Sequence, residues 1–132
     1  MIKIAINGCN GKMGTVISNL VKNDDSIEIV AGFDINTTAE NGYPVYASPD
    51  EFKGEADVII DFSHPSCLEG VLDYAVKTNT AVVVATTGLS DEQRLDWYFH
   101  SEKIIGKIVE IQYFSMSQDG KNKGSNNYSL RF

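Results

Sequence analysis

A glycine-rich turn directly behind an apolar segment constrains this 132-residue chain more than any other feature. Residues 1–6 are almost entirely apolar, and Gly8, Gly11 and Gly14 follow them in the spacing G-x-x-G-x-x-G. A short apolar run that ends at a glycine is typical of a buried strand in a parallel sheet. Gly8 would allow a tight turn, Gly11 would leave room for a diphosphate, and Gly14 would let the next helix pack closely. The spacing therefore predicts a dinucleotide-binding turn at the start of a helix.

The apolar residues beyond this turn predict helices that alternate with strands. Strands are expected at residues 27–33, 43–46, 57–61, 80–85 and 107–111, with a short helix at 49–52 and a longer one after a capping box at Ser90 and Gln93. Two further helices follow from apolar residues at helical spacing: Met13, Val16, Ile17, Leu20 and Val21, and Leu68, Val71, Leu72, Ala75 and Val76. This alternation implies an α/β fold, with a parallel sheet, helices on both faces and right-handed crossovers.

An acidic residue at the end of the second predicted strand completes the dinucleotide-binding pattern. Asp34 follows Gly14 by 20 residues, where its carboxylate would accept hydrogen bonds from the adenosine ribose hydroxyls. The alternatives are a solvated acid that begins a turn and a glycine-rich turn that binds no ligand. Lys12 would pair with a 2′-phosphate, but Ile35 stands where an arginine would favour NADP more clearly. NADH and NADPH therefore both remain candidate cofactors, with NADH slightly ahead.

Composition and charge argue against several function classes. Eleven Lys and Arg against 18 Asp and Glu give a net charge of −7, so the chain offers no basic surface for nucleic acid or an anionic membrane. We find no membrane-length apolar run and no signal-peptide pattern before the first strand. Cys9 and Cys67 have no metal-ligand spacing. We therefore expect a cytoplasmic protein with reduced thiols and no metal site.

Three segments together resemble one family, the 4-hydroxy-tetrahydrodipicolinate reductases (dihydrodipicolinate reductases) of bacterial lysine and diaminopimelate synthesis. They are N-G-C-N-G-K-M-G at residues 7–14, I-D-F-S-H-P at 60–65 and A-T-T-G-L at 85–89. A weaker fourth match is I-V-E-I-Q-Y-F-S at 108–115, where Tyr113 replaces the usual asparagine. The combination is specific because the motifs stand in the family's order and at about its separations. The resemblance covers residues 1–115, which we expect to form one domain, followed by an irregular tail at 116–132.

The resemblance implies a Rossmann-like domain that binds NADH or NADPH for the reduction of a cyclic imine. The cofactor-binding residues that it assigns are Gly8, Cys9, Asn10, Gly11, Lys12 and Met13 at the diphosphate and adenosine, Asp34 at the ribose, Phe62 and Ser63 beside the cofactor, Ala85, Thr86 and Thr87 at the nicotinamide, and Tyr113 and Phe114 in the fourth segment. Ala85 replaces the family's usual glycine and adds one methyl group near the cofactor.

The departures from the family concern its second, α+β substrate domain, which carries a His-His-x-x-Lys motif. This chain has only His64 and His100, and nothing after residue 115 resembles that domain. We therefore assign no catalytic residue, since His64 is either a proton donor beside the cofactor or an ordinary loop side chain. Two functions stay open: the NAD(P)H-binding domain of a reductase, or a cofactor-binding module without reductase activity.

A more distant alternative, a semialdehyde or sugar dehydrogenase, is disfavoured by the paired motifs at residues 62–65 and 86–88. The family also returns to its first domain at the C-terminus, and no such closing segment is recognisable here. An uncovered sheet edge would follow, so we expect self-association into a homo-oligomer.

Overall fold

Six parallel strands form one sheet in the computed structural model, which describes residues 1–85, 90–92 and 108–110, the last three by their backbone alone. The strands are β1 (Ile2–Asn7), β2 (Ile27–Phe33), β3 (Val45–Tyr46), β4 (Val58–Asp61), β5 (Ala81–Val84) and β6 (Ile108–Glu110). Their spatial order is β3-β2-β1-β4-β5-β6, and every neighbouring pair is parallel. The strand order reverses between β1 and β4, and in open α/β sheets ligands bind in the crevice at such a reversal.

The helices that follow β1 and β4 cover opposite faces of this sheet. Helix α1 (Lys12–Val21) follows β1, and helix α2 (Leu68–Thr78) follows β4 after a 3₁₀ turn at Pro65–Cys67. Ile59 packs in the cluster that contains α2, whereas its neighbour Ile60 packs against the cluster on the α1 side. Because side chains alternate along a strand, the two helices lie on different faces. The predicted Rossmann-like α/β fold is confirmed.

The face under α2 holds the larger apolar core. Residues from β2, β4, β5 and α2 are buried together there, among them Phe33, Ile59, Leu72 and Val82. The ring of Phe33 packs edge-on against Phe52, which follows a second 3₁₀ turn at Pro49–Glu51. Helix α2 and the strands before and after it in the chain, β4 and β5, were predicted correctly from the apolar residues of the sequence.

The predicted buried face of α1 is wrong in part. Ile17 and Val21 contact the sheet, but Met13, Val16 and Leu20 are exposed, and the buried residues of the helix are Gly14 and Ser18. A Cβ atom on Gly14 would lie 2.4 Å from the carbonyl oxygen of Gly8. The helix is therefore rotated so that its smallest residue meets the glycine turn, which leaves part of the apolar stripe outside.

The strand boundaries agree with the sequence predictions to within one or two residues. The strand expected at 43–46 is limited to Val45–Tyr46, because Pro44 has no N–H to donate to a neighbouring strand. Of the helix predicted after Ser90 and Gln93, the structure describes the first residues, and residues 91–92 are helical; the rest of that helix and the tail at 116–132 lie outside the described residues. None of the described helices is both long and apolar enough to span a membrane.

Candidate functional site

An open cleft of about 460 Å³ lies at the carboxyl ends of β1, β2 and β4. Five residues predicted to bind a cofactor line it, namely Gly8, Gly11, Asp34, Phe62 and Ser63. These residues come from three separate segments of the chain, and the parallel sheet brings them together at the reversal of strand order. The cleft is therefore the candidate functional site.

Close backbone contacts require glycine at two positions of the turn that forms one wall of the cleft. Gly8 has a φ of +78°, and a Cβ atom there would lie 2.5 Å from the carbonyl oxygen of Phe62. On Gly14 a Cβ atom would also lie 2.6 Å from the Cα of Cys9. No other amino acid fits either position without a shift of the backbone. These contacts hold the start of α1 against the end of β4.

The N-terminus of α1 presents backbone N–H groups at this wall. Gly11 is the N-cap residue and offers no side-chain cap, and the first turn of the helix contains no acidic residue. The first N–H groups of a helix have no partner within it, and with the helix dipole they attract anions. The cleft is lined by no Lys or Arg among the described residues. A diphosphate would therefore be bound mainly by the backbone.

Asp34 stands at the opposite rim, directly after β2. Its Oδ2 accepts a hydrogen bond of 3.1 Å from the backbone N–H of Asn10, and its Oδ1 accepts one of 3.0 Å from Asn36. These bonds fix the carboxylate at the mouth of the cleft. An ionised carboxylate has about four acceptor positions, so it can still accept hydrogen bonds from a pair of ribose hydroxyls.

The side chain of Asn10 does not line this cleft, although Asn10 was predicted to contact the cofactor. Its Nδ2 donates to the carbonyl oxygen of Asn36 at 2.7 Å, and its Oδ1 accepts from Asn41 Nδ2 at 2.7 Å. Asn10 instead lines a second, smaller pocket of about 300 Å³ beside α1. Its side chain ties the glycine turn to the loop that follows Asp34. Lys12 and Met13 are exposed at the start of α1, and neither lines the cleft.

Cys9 lies beneath the turn rather than at its surface. Its side chain is 1% exposed, and a Cβ atom on Gly32 would lie 2.5 Å from its Sγ. Burial, with a smaller contribution from the charge of Asp34, raises the pKa of this thiol to about 11. The thiol is therefore neutral at physiological pH and acts as a small packing group.

The segment after β4 forms the floor of the cleft. Asp61 ends the strand and is fully buried, while Phe62 and Ser63 line the cleft. The side chains of Asp61, Ser63 and Asn7 are joined by hydrogen bonds of 2.6 to 3.0 Å. Ala85 lies behind them, buried at the end of β5, and its N–H donates to the carbonyl oxygen of Asp61 at 3.0 Å.

His64 lines the cleft but serves as the N-cap of the following 3₁₀ turn. Its Nδ1 lies 3.2 Å from the backbone nitrogen of Ser66 and 2.8 Å from the Ser66 Oγ. One ring nitrogen is thus committed to the cap, which favours the structural role of His64 that the sequence left open. His100 and the predicted site residues Thr86, Thr87, Tyr113 and Phe114 lie outside the described residues.

Several cleft residues were not predicted as site residues from the sequence. Ile35 is 96% exposed beside Asp34, and Pro49, Cys67 and Val71 line the wall formed by the two 3₁₀ turns and α2. Each of them follows a strand end or stands in the first turns of the next helix. The rule that ligands bind beyond the carboxyl ends of strands was the available signal, but it does not select among loop residues.

A comparison with protein families shows to which family the chain belongs. Residues 2–110 match the family model described as dihydrodipicolinate reductase, N-terminus. The chain belongs to the dihydrodipicolinate reductase family. A curated relative, the 4-hydroxy-tetrahydrodipicolinate reductase of Caldanaerobacter subterraneus subsp. tengcongensis, is 47% identical over 93 residues. That match covers 70% of this chain and 37% of the relative, so the chain spans less than half the length of this curated relative.

Solved structures show the same fold. The dipicolinate-bound dihydrodipicolinate reductase from Paenisporosarcina sp. TG-14 is 26% identical, with a TM-score of 0.69 over 84% of this chain and 47% of that one. The WlbA (WbpB) dehydrogenase from Thermus thermophilus, solved with NAD and UDP-GlcNAcA, has a TM-score of 0.64 at 14% identity over 84% of this chain and 41% of that one. The second likeness concerns the fold alone. The family match, the curated relative and the dihydrodipicolinate reductase structure identify residues 2–110 as a dihydrodipicolinate reductase-like nucleotide-binding domain.

Proposed function

We propose that this chain binds a reduced nicotinamide dinucleotide as the cofactor domain of a dihydrodipicolinate reductase-like oxidoreductase. The observation that carries the proposal is the position of the glycine turn, because Gly8 and Gly11 line a cleft at the reversal of strand order. A diphosphate at Gly11 would accept hydrogen bonds from the uncapped first turn of α1. The adenosine half would then extend over β2 to Asp34, and the nicotinamide half over β4 and β5.

The site residues keep the roles that the family resemblance gives them, with changes that the geometry suggests. Gly8 and Gly11 would approach the diphosphate, Asp34 the ribose, and Phe62 and Ser63 the nicotinamide half. Cys9, Asn10 and Met13 would act indirectly, by shaping the turn and the start of α1. Thr86, Thr87, Tyr113 and Phe114 keep the assignments made from the sequence.

We expect NADH to bind more tightly than NADPH. Asp34 lies at the rim where the adenosine ribose would bind, and its carboxylate would repel a 2′-phosphate. Lys12 is exposed at the start of α1 but does not line the cleft, so its ammonium would offset this repulsion only in part. Ile35, exposed next to the acid, would offer the adenine an apolar surface.

For a complete enzyme of this family, the resemblance implies hydride transfer from the nicotinamide to 4-hydroxy-tetrahydrodipicolinate. The product is tetrahydrodipicolinate, in lysine and diaminopimelate synthesis. Because residues 1–132 contain no counterpart of the His-His-x-x-Lys motif that the resemblance places in the substrate domain, we propose cofactor binding without reductase turnover for these residues alone. The domain would comprise residues 1–115, and the tail 116–132 would lie outside it. We also propose a cytoplasmic location.

Self-association is a further part of the proposal. Val16 and Leu20 on α1 are exposed beside the exposed Met13, so an apolar strip runs along the outside of the helix. Apolar strips of this kind often mark contacts between protein copies. Sedimentation velocity should show a dimer or larger species, and a monomer at high protein concentration would contradict it.

Calorimetric titration with NADH and with NADPH tests the proposed function. We expect saturable binding of NADH at one site per chain and weaker binding of NADPH. The same sample should show cooperative thermal unfolding, which establishes that it is folded. The absence of binding heat for both cofactors at several temperatures, with folded protein, would contradict the proposal. A reductase assay on the same sample separates the two functions, since measurable turnover would contradict the non-catalytic assignment.

A further inference from the structure

The loop that follows β2 is held in place by hydrogen bonds rather than by apolar packing. Residues 35–38 are all exposed, and the side chain of Ile35 is 96% exposed. Asp34 Oδ1 accepts a hydrogen bond from the N–H of Asn36, and Asn36 Oδ1 accepts one in the same way from the N–H of Thr38 at 3.3 Å. Each bond reaches two residues along the chain, which is the pattern of an Asx turn. The position of this loop therefore depends on polar contacts.

The Asn10 side chain makes such a contact from the glycine turn and closes a ring of three hydrogen bonds. Its Nδ2 donates to the carbonyl oxygen of Asn36 at 2.7 Å. The N–H of Asn36 donates to Asp34 Oδ1 at 3.0 Å, and the N–H of Asn10 donates to Asp34 Oδ2 at 3.1 Å. Both carboxylate oxygens thus accept from N–H groups that the Asn10 side chain holds together. The carboxylate can turn away only if a bond of this ring breaks.

Asn41 fixes the orientation of the Asn10 amide within the ring. Its Nδ2 donates to Asn10 Oδ1 at 2.7 Å and lies 3.3 Å from the hydroxyl of Tyr43. A side-chain amide has an acceptor oxygen and a donor nitrogen. Because Asn41 binds the oxygen of the Asn10 amide, the nitrogen points to the loop after Asp34. Asn41 and Tyr43 line the smaller pocket beside α1, so this support lies outside the cleft.

We propose that the Asn10 side chain is a positioning residue for recognition of the adenosine ribose. Through Asn36 it holds the Asp34 carboxylate in one orientation at the mouth of the cleft, where the remaining acceptor positions of the two oxygens meet the ribose hydroxyls. Asn10 itself does not line the cleft, so it acts through the acid and not on the ligand. The inference rests on the proposed function, which assigns the ribose to Asp34.

Replacement of Asn10 by alanine tests this role directly. Asn10→Ala removes the side-chain bond to Asn36 but keeps the N–H that donates to Asp34. The carboxylate and the loop then gain other positions, and the ligand has to order them when it binds. We expect the variant to weaken NADH binding about fivefold, which corresponds to one lost hydrogen bond. Asn41→Ala, which removes only the support of the amide, should weaken it about threefold. Calorimetric titration measures both.

Two comparisons separate positioning of the acid from a general disturbance of the glycine turn. In an Asp34→Ala background, Asn10→Ala should cause no further loss of NADH affinity, because no carboxylate is left to hold. An NADH analogue with a 2′-deoxyadenosine half lacks one of the hydroxyls that Asp34 would bind. Asn10→Ala should therefore weaken binding of this analogue by less than about twofold. A general disturbance of the turn would weaken binding of both ligands alike and would persist without Asp34.

Asn19→Ala is the matched control for the loss of an asparagine side chain. Asn19 is exposed on α1 and lines the same smaller pocket, and among the described residues no hydrogen bond joins its side chain to another group. We expect its replacement to leave NADH affinity unchanged. Thermal unfolding of every variant establishes that the titrated samples are folded.

The outcomes distinguish the inference from the proposed function. Unchanged NADH affinity in Asn10→Ala, additive losses with Asp34→Ala, or equal losses for NADH and its 2′-deoxy analogue would each overturn the role of Asn10 while the unmodified chain still binds NADH. Should Asn10→Ala fail to fold, Asn41→Ala takes its place in both comparisons, and unchanged NADH affinity there would also overturn the role. If the unmodified chain does not bind NADH, the proposed function fails and this inference fails with it.

Discussion

The two faces of the sheet are packed differently, although they share the same strands. On the α2 face, Ile59, Leu72 and Val82 are fully buried in one cluster. On the α1 face, Ile60 is only half-buried in the part of the chain that the structure describes, and Leu20 of the covering helix is 68% exposed. The α2 face thus has the larger buried apolar cluster. The α1 face combines a smaller one around Ile4 and Ile6 with close backbone contacts at the glycine turn.

This difference separates stability from function within the domain. Apolar burial is the main favourable contribution to folding, so the α2 face should supply most of the free energy of unfolding. The α1 face carries the start of the helix whose first N–H groups we assign to the diphosphate. Gly14 brings α1 so near to the turn that a larger residue has no space. The position of the helix is therefore set by the smallest side chain on it.

The largest expected effect compares a buried leucine on the α2 face with an exposed one on the α1 face. Leu72→Ala should lower the free energy of unfolding by about 4 kcal/mol, because it leaves a cavity in the main core. Leu20→Ala should change it by less than about 0.5 kcal/mol. Urea unfolding of both variants measures the difference. Equal losses would show that the two faces contribute alike.

The next effect concerns the backbone contact at the turn. Gly14→Ala should lower the free energy of unfolding by about 3 kcal/mol and abolish NADH binding, because its methyl group would overlap Gly8 and Cys9. Gly70→Ala is the control for stability alone, because a Cβ atom there meets nothing within 4 Å although Gly70 lines the cleft. It should raise stability by about 0.5 kcal/mol, since alanine favours the helix. Wild-type stability and NADH affinity in Gly14→Ala would refute the close contact.

A smaller effect is expected from the acid at the rim of the cleft. Asp34→Asn should weaken NADH binding about tenfold, because an amide accepts fewer hydrogen bonds from the ribose hydroxyls. The preference for NADH over NADPH should narrow as well, since the repulsion of a 2′-phosphate is removed. Parallel titrations with both cofactors measure the ratio. Asp50→Asn, an exposed change outside the cleft, should leave both affinities unaltered.

The smallest effect is a local protection of one thiol. Cys67 is exposed and lines the cleft, so saturating NADH should slow its alkylation by iodoacetamide. Cys9 provides an internal control: at pH 8 it should stay unmodified, because burial raises its pKa to about 11 and keeps the thiolate population very small. Peptide mass spectrometry separates the two sites. Rapid labelling of Cys9, or no protection of Cys67, would disagree with the assigned cleft.

The sequence predicted the strands well because turn residues mark where the strands begin and end. β2 begins after a turn at residues 24–26, whose Asp24 side chain accepts hydrogen bonds from Ser26, and Asp34 follows its end. The buried face of α1 was predicted less well, since apolar periodicity takes no account of residue size. Where two backbones approach closely, Gly14 and Ser18 replace larger residues in the contact.

Site residues could be predicted where the backbone geometry requires a particular residue type. They could not be predicted where separate loops meet. Gly8, Gly11 and Asp34 follow from the geometry of a turn and a strand end. Cys9 points inward, where it contacts Gly32 near the end of β2. The Asn10 side chain points outward and bonds to Asn36 and Asn41, in the irregular segment between β2 and β3. No periodic pattern records such contacts.

The most direct test of the central claim is the amide NMR spectrum of the ¹⁵N-labelled chain during titration with NADH. The claim is that the backbone N–H groups in the first turn of α1, at residues 12–14, bind the cofactor diphosphate, since those of Gly8 and Gly11 already donate to carbonyl oxygens of the protein. We predict that the amides of Gly11, Lys12 and Met13 shift most, and that those in the middle of α2 shift little. Saturable binding that leaves the amides of the turn unchanged would contradict the claim.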